Sequence, residues 1–255
     1  MGSFFLESDF SAFDIEKSRS KDKLILERRR IAAEKLRELH NLGLLEFMNS
    51  RGLNSHWEKQ YTTSITWPVK RINDEFIDKV YISYGKNRDD VRRLIKLLEI
   101  LKEIKKDRIE DDEVFNYIPQ IQLGLNSNSW NTSLYLDKLG YVEQRNLVNK
   151  IRKNQELKNK FENILLALED KGYKFYIIKD NQNRNYENKR EYVDDIIRYT
   201  DSNERYGISI RKEYDKNHRE NNRNTIIDFL KDELDNLMDA YYFVSWDYSE
   251  NDYLR

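Results

Sequence analysis

The sequence predicts an α+β fold in which a mostly antiparallel or mixed sheet of about six strands packs against several long amphipathic helices. Segments with apolar residues at helical spacing alternate with segments in which polar and apolar residues alternate around turn residues. The second pattern is typical of β-hairpins, whose strands pair antiparallel. Only two prolines and eight glycines interrupt the chain, which leaves room for long helices. A single domain over residues 1–255 is therefore expected.

The first half of the chain is predicted to form two helices on either side of a hairpin. Ile25, Ala32 and Leu36 recur at helical spacing in a segment rich in lysine and arginine. Val91 and Leu94 begin a second such stripe. The predicted elements are an N-terminal basic helix over residues 15–41, a hairpin over 61–85 and a helix over 88–106.

The second half of the chain is predicted to alternate hairpins, helices and single strands. Gly172 ends one helical stripe, as glycine commonly does. The polar, asparagine-rich residues 180–189 are interpreted as a loop. The predicted elements are a hairpin over 114–137, helices over 142–152, 155–169 and 188–199, strands over 173–178 and 206–214, and a C-terminal helix with an acidic aromatic tail over 224–255.

Composition excludes several classes of protein. Charged residues make up 36% of the chain, but 13% are aromatic and the net charge is −1, which favours a folded protein with a charged surface over disorder. The chain has no cysteine, which excludes a disulfide scaffold, a thiol nucleophile and an iron–sulfur cluster. No apolar run approaches the roughly 20 residues that cross a bilayer. A cytoplasmic protein without a cofactor, a metal or a membrane partner is expected.

The clearest functional signal is an uneven distribution of charge. Seven basic and two acidic residues lie between Lys17 and Arg30. Basic side chains neutralise phosphates and release counterions, so such a segment favours nucleic-acid binding. The alternative is an ordinary solvated helix face. The residues nominated for nucleic-acid contact are Lys23, Arg28, Arg29 and Arg30.

The opposite end of the chain is acidic and aromatic. Seven acidic residues and no lysine or arginine lie between Asp232 and Leu254. An aromatic-rich acidic segment suits docking onto a basic partner protein, with Trp246 and Tyr248 as the contact residues. Docking of the same aromatic residues onto the protein's own core is an equal alternative.

Catalytic signals are weak. Arg211 and His218 are the best candidates, because arginine can stabilise a phosphoryl transition state and histidine can move a proton. A solvated charged loop is the simpler interpretation of that segment. No Gly-x-Ser-x-Gly elbow and no glycine-rich phosphate loop occur. A polar sheet face is a further candidate for a shallow binding surface, and it consists of Gln120, Gln122, Asn131 and Ser133.

These observations predict an accessory protein that binds nucleic acid or a nucleic-acid-processing partner. Microbial or phage genome defence is the setting that we expect for it. Two alternatives stay open at this point. One is a phosphodiester-cleaving enzyme that uses Arg211 and His218 or a carboxylate cluster. The other is a structural subunit that assembles through its aromatic C-terminus.

Overall fold

The computed structural model describes residues 2–56, 77–100, 114–180 and 182–246. The first strand of the hairpin predicted over 61–85, the end of the helix predicted over 88–106, and Tyr248 lie outside these residues. The described helices are α1 Glu7–Phe10, α2 Lys23–Leu39, α3 Leu45–Ser50, α4 Arg88–Ile100, α5 Tyr141–Lys153, α6 Gln155–Asp170, α7 Lys189–Asp201, α8 Ile226–Asn236 and α9 Met238–Val244. The described strands are β1 Asn54–Ser55, β2 Lys79–Gly85, β3 Gln120–Asn126, β4 Ser129–Leu136, β5 Lys174–Lys179, β6 Gln182–Tyr186 and β7 Gly207–Asp215.

The seven strands form one sheet in the order β1-β2-β3-β4-β7-β5-β6. Strand β1 pairs antiparallel with β2, and β5 pairs antiparallel with both β6 and β7. The predicted α+β class, with an antiparallel sheet and several amphipathic helices, is therefore confirmed.

The chain divides into two compact units. Unit 1 consists of Met1–Asn87, Gln122–Thr132 and Glu213–Leu234, and unit 2 consists of Arg88–Ile121, Ser133–Lys212 and Asp235–Arg255. Strands β3, β4 and β7 contribute residues to both units. The single domain over the whole chain stays a prediction.

The interior of unit 1 is rich in aromatic side chains. The indole of Trp130 lies 4.4 Å from the ring of Tyr214 and 5.7 Å from that of Phe229, measured between ring centroids. The N-terminal segment joins this cluster through Phe5, which lies 6.2 Å from Trp130. The Phe5 amide donates to Asn221 Oδ1 at 2.7 Å, and Asn221 Nδ2 donates to the Phe5 carbonyl at 2.9 Å. These two bonds hold the N-terminus against the unit.

Helix α2 begins later than the sequence suggests. Residues Ile15–Lys17 form a short 3-10 turn instead of a first helical turn. The helix starts at Lys23, because the side chain of Asp22 accepts a hydrogen bond from Leu24 N at 2.7 Å and so caps it. The buried side of the helix carries Ala32, Leu36 and Leu39.

Unit 2 is held together by helix packing and by one helix against the sheet. Asn154 ends α5 and caps α6, since its Oδ1 accepts from Glu156 N at 2.8 Å. Phe161 of α6 stacks on Phe243 of α9 at 5.0 Å. Helix α7 covers one face of β5, where the ring of Tyr192 lies 5.4 Å from that of Phe175.

Two further predicted elements differ from the structure. The asparagine-rich segment interpreted as a loop contains strand β6, which pairs with β5 from Phe175↔Tyr186 to Lys179↔Gln182. The predicted C-terminal helix is two helices, α8 and α9, which meet at Leu237. The first difference matters most for function, because β6 extends an exposed sheet face.

Candidate nucleic-acid interface

Arg29, which the charge pattern nominated for phosphate contact, lies inside unit 1. Its side chain is 0% exposed. Its Nε donates to the carbonyl of Ala12 at 3.0 Å, and its Nη2 donates to those of Lys17 at 2.7 Å and Ile77 at 3.5 Å. Burial lowers the pKa of the guanidinium below its ordinary value. Arg29 therefore joins three backbone segments and does not belong to the exposed surface of α2.

The other three nominated cations differ from one another in exposure and pairing. Lys23 is exposed at the start of α2, and Arg28 is half-buried. Arg30 is exposed and forms an ion pair with Glu27 at 2.5 Å. The hydrogen bond from Arg30 lowers the pKa of Glu27 and raises that of Arg30. The positive surface of the helix thus rests mainly on Lys23 and Arg28.

Arg211 and His218 each have contacts within their own unit. Arg211 lies in unit 2 on β7, with its Cζ 4.5 Å from the ring centroid of Tyr176. His218 lies in unit 1, where its ring is 5.3 Å from that of Tyr214 and 5.5 Å from that of Phe229. The Nδ1 of His218 also accepts from the amide of Glu220 at 3.3 Å. Both residues have packing contacts that account for their positions.

The polar sheet residues nominated from the sequence are not an open face. Gln120, Gln122 and Ser133 are buried, with at most 8% of any of them exposed, and Asn131 is half-buried. Gln120 Nε2 donates to the carbonyl of Phe115 at 2.7 Å. Polar side chains inside a protein need such partners, so the role of Gln120 is structural.

Trp246, one of the two residues nominated for partner docking, packs inside unit 2. Trp246 is 4% exposed, and its amide donates to Oε2 of Glu143 at 2.5 Å. This contact favours docking of Trp246 onto the protein's own core over docking onto a partner.

The structure reveals a different polar surface on unit 2, at the end of the sheet formed by β7, β5 and β6. Side chains alternate along β5, so that Phe175 and Ile177 face α7 and are buried. Lys174, Tyr176 and Ile178 lie on the opposite face, where Lys174 is exposed and the other two are half-buried.

The neighbouring strands extend this face on both sides. Lys174 is paired with Arg211 of β7, and Tyr176 is paired with Asn185 of β6. Both Asn183 and Asn185 are exposed. We call this surface the Tyr176 face, and it consists of Lys174, Tyr176, Ile178, Asn183, Asn185 and Arg211.

Strand β6 separates its polar residues between its two faces. Arg184 points toward α7, where its Nη1 donates to Asp195 at 2.8 Å and its Nη2 bonds Glu191. Tyr186 lies on the same side and donates to Asp195 at 2.6 Å. Burial and this hydrogen bond raise the pKa of the Tyr186 phenol. Glu191 and Asp195 of α7 are thus engaged on the helix side of the strand, away from the Tyr176 face.

The Tyr176 face combines three kinds of group that bind single-stranded nucleic acid. Tyr176 offers a ring on which a base can stack, and the guanidinium of Arg211 already lies against it. Lys174 offers a cation for a backbone phosphate. Asn183 and Asn185 offer amide donors and acceptors for base edges. In the sequence, Lys174, Tyr176 and Ile178 are spaced by two, which is the spacing of side chains on one face of a strand. The segment as a whole nevertheless resembles a continuously apolar strand, so its sequence does not single out this face.

The histidines of unit 1 do not form a metal site. His56 is buried, and its Nε2 lies 3.2 Å from the carbonyl of Lys86. Burial lowers the pKa of His56 to about 3. His40 Nδ1 lies 2.9 Å from the hydroxyl of Tyr84, and burial lowers its pKa as well. Within the described ranges, no group of three or more His, Asp or Glu side chains could hold a metal ion.

No protein-family profile matches the chain, and no curated protein is significantly similar to it. In the part of the chain that the structure describes, no helix is both long enough and apolar enough to cross a membrane.

Proposed function

We propose that the protein is a nucleic-acid-binding accessory protein that holds single-stranded RNA or DNA on the Tyr176 face. The observation that supports this most is the position of Arg211, whose guanidinium carbon lies 4.5 Å from the ring centroid of Tyr176. Lys174 is the cross-strand neighbour of Arg211 on the same face. An aromatic ring with a cation beside it, on a sheet with exposed amides, is a common arrangement for binding unstacked bases.

Each group of the Tyr176 face makes a different contribution to binding, which follows from its chemistry. Stacking of a base on an aromatic ring contributes about 1–3 kcal/mol and tolerates any base, because every base has a π-face. Lys174 contributes affinity that falls as salt rises, since each phosphate contact releases counterions. Asn183 and Asn185 add a modest preference among bases, because they are exposed and pay a desolvation cost on binding.

A single strand fits this surface better than a duplex. The Tyr176 ring is half-buried in the sheet and does not project far enough to enter a groove. A duplex keeps its bases stacked on one another, so their faces are not accessible to Tyr176. Only phosphate contacts would then remain, and we expect duplex binding to be weaker.

The cations of α2 take a secondary part in this proposal. Lys23 and Arg28 add a long-range attraction that speeds encounter with a polyanion, whereas Arg29 is buried and takes no part. A protein partner, a place in genome defence and a cytoplasmic location stay predictions. The alternative of an enzyme built on Arg211 and His218 gains no support from the contacts of those two residues.

The test is fluorescence anisotropy with a labelled single strand of about twelve nucleotides, as RNA and as DNA, and with the matching duplex. We expect Tyr176→Ala to weaken single-strand binding at least tenfold, while Tyr176→Phe retains it because the ring remains. Tyr199→Ala is the matched control. Tyr199 lies on α7 and also has a guanidinium against its ring, that of Arg198 at 4.8 Å, but it is not part of the Tyr176 face.

Three results would each contradict the proposal. The first is no binding of any single strand at low salt. The second is binding that Tyr176→Ala leaves unchanged. The third is an equal loss in Tyr176→Ala and Tyr199→Ala, which would point to a general effect on folding. A difference between RNA and DNA would identify the preferred nucleic acid.

A further inference from the structure

Unit 2 contains a cavity of about 150 Å³ beside the start of α5. Its lining includes Tyr141, Gln144 and Arg145 from the first turns of that helix. The opposite side is formed by Thr200 at the end of α7 and by the loop that follows, including Arg205. All of these residues belong to unit 2 and are separate from the Tyr176 face.

The charge of the lining is positive. Two guanidinium groups, those of Arg145 and Arg205, line the cavity. Glu204 is the acidic residue among the lining residues, and its Oε2 is engaged by the ammonium of Lys179. Guanidinium groups bind planar or tetrahedral oxyanions through two parallel N–H donors, so a pair of them favours an anionic ligand.

Two neutral lining residues, Gln144 and Thr200, have their hydrogens engaged within the protein. Gln144 Nε2 donates to the carbonyls of Asp137 at 3.2 Å and Tyr206 at 2.6 Å, which uses both of its amide hydrogens. Its Oε1 is left as an acceptor. Tyr206 donates to the carbonyl of Ile196 at 3.1 Å, so the 2.7 Å contact between Thr200 Oγ1 and the Tyr206 hydroxyl is donated by Thr200. A ligand with both an anionic oxygen and a hydroxyl hydrogen matches this set.

The backbone at the cavity adds to its positive potential. Helix α5 starts at Tyr141, and its N-cap residue, Gly140, has no side chain to accept from the first amides. The aligned peptide dipoles place partial positive charge at this end of the helix. The two guanidinium groups and the N-terminal end of α5 therefore all favour a negatively charged ligand.

The cavity is large enough for a phosphate group. One water molecule needs roughly 10–15 Å³ of cavity volume of this kind, so about 150 Å³ leaves room for the five heavy atoms of a phosphate. We propose that the cavity is a phosphate-binding site, in which Arg145 and Arg205 bind the phosphate oxygens and Gln144 accepts from a P–OH or an ester hydroxyl.

The test is isothermal titration calorimetry of the full chain in a phosphate-free buffer at constant ionic strength. The probes are inorganic phosphate, glycerol 3-phosphate and an oligonucleotide with and without a 5′-phosphate. We expect Arg205→Gln and Arg145→Gln each to weaken binding of the phosphate probes at least tenfold, because charged hydrogen bonds are lost. Arg190→Gln is the matched control, since Arg190 is exposed on α7 but does not line the cavity.

The probes distinguish the source of the phosphate. Binding of inorganic phosphate indicates the free ion, and binding of glycerol 3-phosphate alone indicates a small ester. A gain from the 5′-phosphate that Arg205→Gln removes indicates the end of a nucleic-acid strand. No response to any phosphate probe, or binding by Arg205→Gln equal to that of Arg190→Gln, overturns the proposal.

Two further measurements keep the result interpretable. Arg205 is exposed, so Arg205→Gln is expected to unfold at the same temperature as the unsubstituted chain. Tyr176→Ala is expected to bind inorganic phosphate and glycerol 3-phosphate normally. A loss of phosphate binding in Arg205→Gln alone, and a loss of single-strand binding in Tyr176→Ala alone, would show that the two sites are independent.

Discussion

The cations nominated on α2 in unit 1 and those of the Tyr176 face in unit 2 differ in their surroundings. In unit 1, the arginine at the centre of α2 is buried and bonded to three carbonyls, and its neighbour Arg30 is paired with Glu27. In unit 2, Lys174 and Arg211 are cross-strand neighbours on a sheet face, where the guanidinium of Arg211 lies against the ring of Tyr176. Of the four cations nominated on α2, one is thus buried and another is paired with an acid.

The difference comes from the geometry of the two kinds of element. On a helix, residues three or four apart are neighbours, so Glu27 and Glu34 meet Arg30 and Arg37 and neutralise them. On a strand, alternate residues face opposite sides, which separates Arg184 and its acidic partners from the Tyr176 face. A local charge count is therefore a poor guide to which surface is positive.

The buried polar groups differ in how completely they are bonded. Arg29 and His56 of unit 1 each bond a backbone carbonyl, although Arg29 Nη1 is buried without a partner. Asn146 of α5 in unit 2 is fully buried, and neither of its amide atoms has a hydrogen-bond partner. Four changes test these contrasts.

The largest effect is expected from Arg29→Met. The substitution fills similar space but leaves the carbonyls of Ala12 and Lys17 without their donor, at a cost of about 3 kcal/mol in the free energy of unfolding. Urea denaturation measures it. Lys23→Met is the matched control, because Lys23 is an exposed cation of the same helix. If both variants unfold at the same urea concentration, Arg29 does not join the three segments.

Acid is expected to destabilise the protein through His56. In the folded state His56 stays neutral down to its pKa of about 3, whereas in the unfolded chain it takes up a proton near 6.5. The unfolded state therefore binds more protons between these values, and stability falls as the pH drops below 6.5, by about 1 kcal/mol per pH unit. Urea denaturation at pH 7, 6 and 5 measures this slope.

The matched variant for this test is His56→Gln. Glutamine retains an N–H donor for the Lys86 carbonyl but does not titrate. We expect a shallower slope in this variant, with a remaining part that comes from His40, whose pKa is also lowered by burial. An unchanged slope would show that His56 is accessible to protons in the folded protein.

Asn146→Leu is expected to stabilise the protein by about 1–2 kcal/mol. The substitution keeps the size of the side chain and removes an amide that is buried without partners. Asn163→Leu on α6 is the control, since Asn163 is exposed and gains only the small difference in helix propensity. A loss of stability in Asn146→Leu would mean that the amide has a hydrogen-bond partner in solution.

The smallest effect is expected from the double charge reversal Lys23→Glu and Arg28→Glu. Under the proposal these residues contribute only long-range attraction, so single-strand affinity should fall no more than about fivefold at low salt and recover as salt screens the change. Anisotropy at two salt concentrations measures it. A loss greater than that of Tyr176→Ala would move the main contact from the Tyr176 face to α2.

Much of the fold was predictable because its core elements follow simple periods. Helices α4, α5, α6 and α7 and strands β3, β4 and β5 each lie within a few residues of the expected ranges. Their apolar residues recur at helical or strand spacing, and burial follows that spacing. Strand β6 was missed because Gln182–Tyr186 contains no aliphatic residue.

The candidate site was harder to predict. Arg29 was nominated for nucleic-acid contact from the charge pattern, although it follows Ile25 by four residues and precedes Ala32 by three and so falls within the apolar stripe of α2. The Tyr176 face depends on the register between β5, β6 and β7, which joins residues far apart in the sequence. No pattern within a short stretch of the sequence shows which residues of these three strands are paired.

Strand β6 also bears on how copies of this protein behave at high concentration. Among the described strands it is the last of the sheet, and none of them pairs with its outer backbone groups. Such an edge can pair with the edge of another copy and start aggregation. Gln182, Asn183, Arg184 and Asn185 are all exposed, and none of them is aliphatic. The polar side chains that made β6 hard to recognise in the sequence therefore also disfavour pairing of this edge with the edge of another copy.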